Sequence, residues 1–106
     1  MSLSTHVLDA STGHPAVGVA VTLTDDAGVV LGAAETDDDG RVRELAAELP
    51  TGYYRLTFDT AAYFSGRQVG AFYPEVLIAF EVLDPLEHYH VPLLLSPYAY
   101  STYRGS

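Results

Sequence analysis

Short stretches in which apolar and polar residues alternate recur along the chain, and turn-forming residues separate them. Residues 19–24 alternate in this way and end at Asp-Asp-Ala-Gly, and residues 29–36 can return alongside them. Residues 54–59 alternate again. A period of two places successive side chains on opposite faces of a β-strand. The pattern therefore predicts about eight short strands, with tight turns between several of them.

One segment, residues 60–69, favours a helix, in which Thr60 is predicted to cap the start and Gly66 or Gly70 to end it. Many short strands with one short helix predict an all-β fold, a sandwich of two antiparallel sheets. The chain has 106 residues, the length of one domain, so a single domain over residues 1–106 is expected.

Two of the predicted strands carry unusual residues. Residues 76–82 are apolar on both faces, which predicts that a second sheet or another subunit covers each side. Pro92 interrupts the strand predicted for residues 88–95. Because proline lacks the N–H that a ladder needs, Pro92 is expected at a sheet edge or a bulge.

The composition excludes several classes of partner. The net charge is −9, from 14 acidic residues against five arginines, and the chain has no cysteine. Such a surface repels phosphate backbones and anionic lipids, so neither nucleic acid nor a membrane is an expected partner. The N-terminal residues lack the basic and apolar regions of a signal peptide, and no apolar run approaches the ~20 residues of a membrane span. A cytoplasmic location is therefore expected.

The histidines are the main candidates for chemistry. His88 and His90 lie two apart in a predicted strand and point to one face, and His6 lies in another strand. A zinc site needs a third ligand that the spacing does not supply, so no metal is predicted. Neutral imidazoles beside an arginine can activate water and stabilise an oxyanion, which suits hydrolysis of an electrophilic amide. From the spacing of the histidines alone, a structural role for them is the alternative.

Other common sites do not fit the sequence. Residues 35–40 begin like a calcium-binding loop, but the required glutamate position is Ala46 and the flanks are predicted strands. The chain has no Gly-x-Ser-x-Gly nucleophile elbow and no glycine-rich phosphate loop. Among the arginines, Arg43, Arg55 and Arg67 are expected to form weak surface ion pairs.

Several motifs, in order along the chain, resemble those of the transthyretin-like 5-hydroxyisourate hydrolases. They are Leu-Ser-Thr-His-Val-Leu-Asp at 3–9, Gly-His-Pro-Ala at 13–16, Asp-Gly-Arg at 39–41, Phe-Tyr-Pro-Glu-Val at 72–76 and the run from His-Tyr-His to Tyr-Arg-Gly-Ser at 88–106. The resemblance covers essentially the whole chain. It implies the transthyretin fold and a homotetramer, a dimer of dimers with active sites in the channel between the dimers.

The resemblance also implies an activity and a set of site residues. The reaction is hydrolysis of 5-hydroxyisourate to 2-oxo-4-hydroxy-4-carboxy-5-ureidoimidazoline in urate degradation, without a cofactor. The implied catalytic residues are His6, Arg41, His90 and Ser106, and the implied substrate-binding residues are Tyr103, Arg104 and Gly105. The histidines would position and deprotonate water, both arginines would orient substrate oxygens and stabilise negative charge, and Ser106 would help to orient water or substrate. His14 and His88 are left with structural roles.

Transthyretin itself provides the competing hypothesis, a carrier that binds small molecules in the equivalent channel. It shares the fold and a similar Leu-Leu-Ser-Pro-Tyr-x-Tyr-Ser-Thr segment. The resemblance implies that the carrier lacks the terminal Tyr-Arg-Gly-Ser and the histidines and arginine of the channel. This sequence has all of them, which favours the enzyme.

Overall fold

A computed structural model describes residues 2–106. In this part of the chain, nine strands form two sheets around a common core, and there is one helix. The elements are β1 (Leu3–Asp9), β2 (His14–Pro15), β3 (Ala20–Asp25), β4 (Val30–Glu35), β5 (Arg41–Ala46), β6 (Gly52–Phe58), α1 (Thr60–Gly66), β7 (Val76–Val82), β8 (Tyr89–Leu95) and β9 (Tyr100–Thr102). The predicted sandwich with one short helix is confirmed for these residues. At seven residues, the helix in this range is too short to cross a membrane.

The strands divide into a first sheet, in the order β2-β1-β8-β9 with β5 also paired to β1, and a second sheet, in the order β4-β3-β6-β7. The expectation of purely antiparallel sheets is wrong at one pair. β1 and β8 run parallel, from Leu3 opposite Tyr89 to Asp9 opposite Leu95. A parallel pair needs a long crossover, and here the second sheet and the helix lie between the two strands in sequence.

The core lies between the sheets and is built from the alternation seen in the sequence. Leu23, Leu56 and Phe58 are fully buried, while the residues between them in each strand face outward. In β7, Val76 and Val82 are buried but Leu77 is 48% exposed. The first sheet therefore covers one face of β7, and a single chain leaves the apolar outer face of this edge strand open.

The helix is capped one residue earlier than predicted. The Asp59 side chain accepts a hydrogen bond from the backbone N–H of Ala62 at 3.2 Å, so Asp59 rather than Thr60 is the N-cap. Thr60 is buried, and its hydroxyl donates to the carbonyl of Tyr73. A carboxylate is as good a cap as a hydroxyl, and the Thr60 hydroxyl has another partner. The helix ends at Gly66, one of the two predicted ends.

Pro92 lies in an interior strand, so its predicted place at a sheet edge is wrong. β8 lies between β1 and β9, but its ladder with β9 covers only Leu93–Leu95 and resumes at a bridge between His90 and Gly105. The backbone N–H groups of alternate residues in a strand point toward the same neighbouring strand. The N–H of Tyr89 points toward β1, so an N–H at residue 92 would point toward β9. Pro92 therefore lacks its N–H on the β9 side, where the ladder is interrupted.

The end of β1 is fixed by a buried carboxylate. The Tyr63 hydroxyl on the helix donates to Asp9 at 2.8 Å, and the backbone and side chain of Ser11 also donate to Asp9. Burial alone would raise the pKa of Asp9, but these hydrogen bonds outweigh it and the pKa is lowered. Burial and the bond to Asp9 raise the pKa of Tyr63 to about 12. These hydrogen bonds thus hold the C-terminal end of β1, the strand that carries His6.

Candidate active site

Three of the predicted site residues meet on the face of the first sheet that points away from the core. In β1, Leu3 and Val7 are fully buried, so His6 points outward, where it is half-buried. Arg41 in β5 lies directly opposite His6. His90 lies on the same face of β8, opposite the residue two before His6. We call His6, Arg41 and His90 the outer-face cluster.

The electrostatics of this cluster favour a neutral His90. Partial burial lowers the pKa of His90, and the nearby charge of Arg41 lowers it further, followed by smaller contributions from His6 and His88. A neutral imidazole has one nitrogen that can accept a proton. His90 is therefore in the protonation state that a general base requires.

Arg41 differs from Arg43 and Arg55. Arg43 pairs with Asp39 at 3.2 Å, and Arg55 pairs with Asp26 at 3.4 Å, as predicted. The same prediction is wrong for Arg67, which within residues 2–106 forms no ion pair and lies 5.2 Å from the ring centre of Tyr63. Within residues 2–106, Arg41 forms no ion pair with a carboxylate. Its guanidinium, which carries only hydrogen-bond donors, is therefore available to bind an anionic or oxyanionic group.

Ser4 belongs to the same face but was not among the predicted site residues. Its hydroxyl oxygen lies 2.7 Å from Nδ1 of His90 and 3.1 Å from Nε2 of His88. The signal was present in the Leu-Ser-Thr-His motif, because a residue two before His6 in a strand must share its face. Ser4 is buried, while His90 is half-buried and His88 is exposed.

The C-terminal segment reaches the cluster through Gly105. The backbone N–H of Gly105 donates to the carbonyl of His90 at 2.9 Å, and the two residues form a bridge between the chain segments. A Cβ placed on Gly105 would overlap Cδ2 of the His90 ring and would lie 3.3 Å from the His90 carbonyl oxygen. A side chain at residue 105 would therefore displace the His90 ring, and the exposed Ser106 follows Gly105.

Replacing Gly105 with alanine is expected to displace the His90 ring and to lower kcat/KM by up to about 100-fold, since small misplacements of a reacting group have effects of this size. Gly70→Ala is the matched control, because a Cβ there meets no atom within 4 Å. The rates of the two variants on 5-hydroxyisourate, the substrate that the resemblance implies, would be compared. Equal activity in both variants would show that the ring of His90 tolerates the added methyl group.

Arg104 does not join the outer-face cluster within one chain. Its guanidinium donates to Glu87 at 2.8 Å and lies 4.9 Å from the ring centre of Tyr89, which is buried on the opposite side of β8 from His90. Successive residues of an extended segment point to opposite faces, so Gly105 beside His90 directs Arg104 the other way. Arg104 thus fastens the C-terminal segment, while Tyr103 is 60% exposed.

Two concavities of the surface lie beside the cluster or away from it. A cleft of about 310 Å³ between β7, β8 and the C-terminal segment reaches His90 from the side and is also lined by Tyr103 and Arg104. A larger one, of about 560 Å³, lies beside the helix and contains no histidine or charged side chain in its lining. In residues 2–106, no three His, Cys, Asp or Glu side chains are grouped closely enough to hold a metal ion.

Residues 3–105 match the HIUase/Transthyretin family model. The chain belongs to this family. A 5-hydroxyisourate hydrolase of Salmonella dublin is 47% identical, with 98% of this chain and 80% of that protein covered. The solved structure of a Klebsiella pneumoniae 5-hydroxyisourate hydrolase is 41% identical, with a TM-score of 0.93 and all of both chains covered. The predicted resemblance is confirmed.

This chain is also similar to a protein whose solved structure holds thyroxine. The solved structure of sea bream transthyretin in complex with thyroxine is 32% identical to this chain. Its TM-score is 0.91, with 99% of this chain and 95% of that chain covered. Membership of the family therefore establishes the fold, and the outer-face cluster must distinguish the two activities.

Proposed function

We propose that this chain is a 5-hydroxyisourate hydrolase that opens the ring of its substrate in urate degradation. The observation that carries the proposal is the outer-face cluster, in which a neutral histidine shares the face with an arginine that has no carboxylate partner within residues 2–106. These groups supply the base and the oxyanion partner that hydrolysis of a cyclic amide requires. The activity named for the Salmonella dublin and Klebsiella pneumoniae relatives supports the same reaction.

In the proposed mechanism, His90 accepts a proton from a water molecule that His6 helps to position, and the resulting hydroxide adds to the ring carbonyl. Arg41 donates to the carbonyl oxygen as negative charge develops there. The tetrahedral intermediate collapses, the ring C–N bond breaks, and the leaving nitrogen takes the proton back from the His90 imidazolium. Each proton that leaves water is returned to product, so the steps balance without an oxidant.

The C-terminal residues complete the proposed site. Ser106 orients the water or the substrate, and Tyr103 contributes a surface on which the substrate binds. Gly105 leaves the space that the His90 ring and the substrate share. Arg104 contributes by holding this segment against Glu87 and Tyr89, and its assignment to the substrate oxygens stays a prediction.

The proposed assembly is a homotetramer arranged as a dimer of dimers. In a single chain the outer-face cluster opens directly to solvent, and the edge strand β7 exposes its apolar outer face. A second copy over the first sheet would exclude water from the cluster and strengthen its electrostatic interactions. Analytical ultracentrifugation is expected to give four times the mass of the chain. Cytoplasmic location stays a prediction from the sequence.

The experiment that tests the function follows the decay of 5-hydroxyisourate, generated in place from urate by a urate oxidase, by ultraviolet absorbance. Accelerated decay in the presence of the protein, above the spontaneous rate, is expected. The carrier is the second candidate, which the likeness to sea bream transthyretin favours. Spontaneous decay unchanged by the folded protein, together with saturable binding of thyroxine, would support the carrier instead.

The pH dependence of the reaction is expected to follow His90. Because the pKa of His90 is lowered from the ordinary value of 6.5, the imidazole stays neutral to a lower pH than a free histidine. The rate is therefore fully present at neutral pH and is expected to fall only as pH drops through a midpoint below 6.5. Stopped-flow measurement of kcat/KM between about pH 4.5 and 8 reports this midpoint. A midpoint above 6.5 would contradict the assignment of His90 as the base.

A further inference from the structure

A line of four polar side chains runs along the outer face from the proposed base to the surface. Ser4 Oγ lies 2.7 Å from Nδ1 of His90 and 3.1 Å from Nε2 of His88. The other ring nitrogen of His88, Nδ1, lies 2.6 Å from the hydroxyl oxygen of Ser2. His90 is half-buried and His88 is exposed, so the line connects the cluster with solvent. The mechanism above uses only its first member.

The number of available protons restricts the directions of the hydrogen bonds along this line. A serine hydroxyl has one proton to donate, and a neutral imidazole has one N–H. Ser4 contacts two imidazoles, so it donates to one and accepts from the other. In the first pattern, His90 donates from Nδ1 to Ser4, Ser4 donates to His88, and His88 donates to Ser2. In the second pattern, the donor and the acceptor of each hydrogen bond are exchanged.

The two patterns leave His90 with different chemistry. When His90 donates from Nδ1, its Nε2 is unprotonated and can accept a proton from water. When Ser4 donates to His90, the ring carries its proton on Nε2 and has no free acceptor nitrogen. The first pattern requires an acceptor for the Ser4 proton, and Nε2 of His88 is placed to be that acceptor.

We propose that Ser4 and His88 are positioning residues that fix the tautomer of His90, so that Nε2 of His90 remains free to act as the base. His88 acts through Ser4 and does not touch the reacting atoms. This inference rests on the proposed function for the use of His90, but the tautomer itself is a property of the resting protein. The role given to His88 is thus more specific than the structural one predicted from the sequence.

The direct test is nitrogen NMR of ¹⁵N-histidine-labelled protein at neutral pH, which distinguishes a protonated from an unprotonated ring nitrogen. In the unmodified protein, the His90 ring is expected to carry its proton on Nδ1. In Ser4→Ala and His88→Leu, this preference for Nδ1 is expected to be lost. His88→Gln is expected to restore it, because the amide oxygen can accept the Ser4 proton.

Kinetics provide the second readout. Ser4→Ala and His88→Leu are expected to lower kcat by roughly 10- to 100-fold, which is the usual cost of removing the hydrogen-bond partner of a histidine at a metal site. KM is expected to stay unchanged, because neither residue binds substrate, and His88→Gln is expected to recover most of kcat. The matched controls are Ser65→Ala and His14→Leu, which replace an exposed serine on the helix and an exposed histidine on β2.

The outcomes separate this inference from the proposed function. A His90 ring protonated on Nε2 in the unmodified protein would overturn the inference even if the protein is a fast hydrolase. The same would follow from unchanged kcat in both Ser4→Ala and His88→Leu. If the protein does not accelerate decay of 5-hydroxyisourate, the proposed function fails, and the NMR measurement still decides whether Ser4 and His88 fix the tautomer.

Discussion

Replacing His90 with alanine is expected to lower kcat for 5-hydroxyisourate by roughly 10²–10⁴-fold, the usual contribution of a general base. The substitution removes the ring whose lowered pKa keeps it neutral beside Arg41. Substrate binding depends mainly on other groups of the site, so KM is expected to change much less than kcat. Single-turnover measurements with preformed substrate would separate the chemical step from binding.

The matched control for this variant is His14→Ala, which removes an exposed histidine from β2 on the same sheet. Circular dichroism and urea unfolding of both variants would check that the sandwich is retained. A His90→Ala protein that is folded and turns over at the rate of His14→Ala would remove His90 from the role of base. In that case, His6 would be the next residue to test.

Arg41→Gln is expected to lower kcat by roughly 10²–10³-fold, the effect of removing one donor from a developing oxyanion. Glutamine keeps hydrogen-bonding capacity and much of the length of the side chain but removes the charge. Because the charge of Arg41 lowers the pKa of His90, its loss is expected to raise that pKa. The acidic limb of the pH–rate profile is therefore expected to move to higher pH in this variant.

Arg43→Gln controls for the loss of one positive charge from an acidic protein. Arg43 lies two residues along the same strand, is exposed, and pairs with Asp39 on the surface. Its replacement is expected to leave both the rate and the acidic limb unchanged. If the two arginine variants lose activity equally, general attraction of an anionic substrate by positive charge would explain the effect, and the oxyanion role of Arg41 would be wrong.

Much of the fold could be predicted from the sequence, because alternation is a local property of each strand. The buried Leu23 and Phe58 and the end of the helix at Gly66 follow from such local patterns. The parallel pairing of β1 with β8 could not be predicted in this way, since side chains alternate identically in parallel and antiparallel strands. The choice of Asp59 over Thr60 as the cap depended on the contact of Thr60 with Tyr73, a tertiary contact.

In the candidate site too, local motifs identified some residues, while others depend on contacts across the sheet. His6, Arg41 and His90 came from motifs, and the register of the first sheet places them on one face. Ser4 was missed because the motif places it on the same face as His6 but does not show the imidazoles that it contacts across the sheet. The direction in which the Arg104 side chain points could not be predicted either, because it depends on the pairing of Gly105 with His90.

The parallel pairing of β1 and β8 has a consequence for how the protein acquires activity during synthesis. Ser4 and His90 are 86 residues apart in sequence, yet they are neighbours in one sheet. Chains grow at about 5–20 residues per second, so β1 must wait several seconds on the ribosome for its partner strand. Pairing over such a separation also makes folding slow. His6 and His90, which we propose to be catalytic, therefore come together only after most of the chain has been made, and a product that terminates before residue 90 lacks the proposed base.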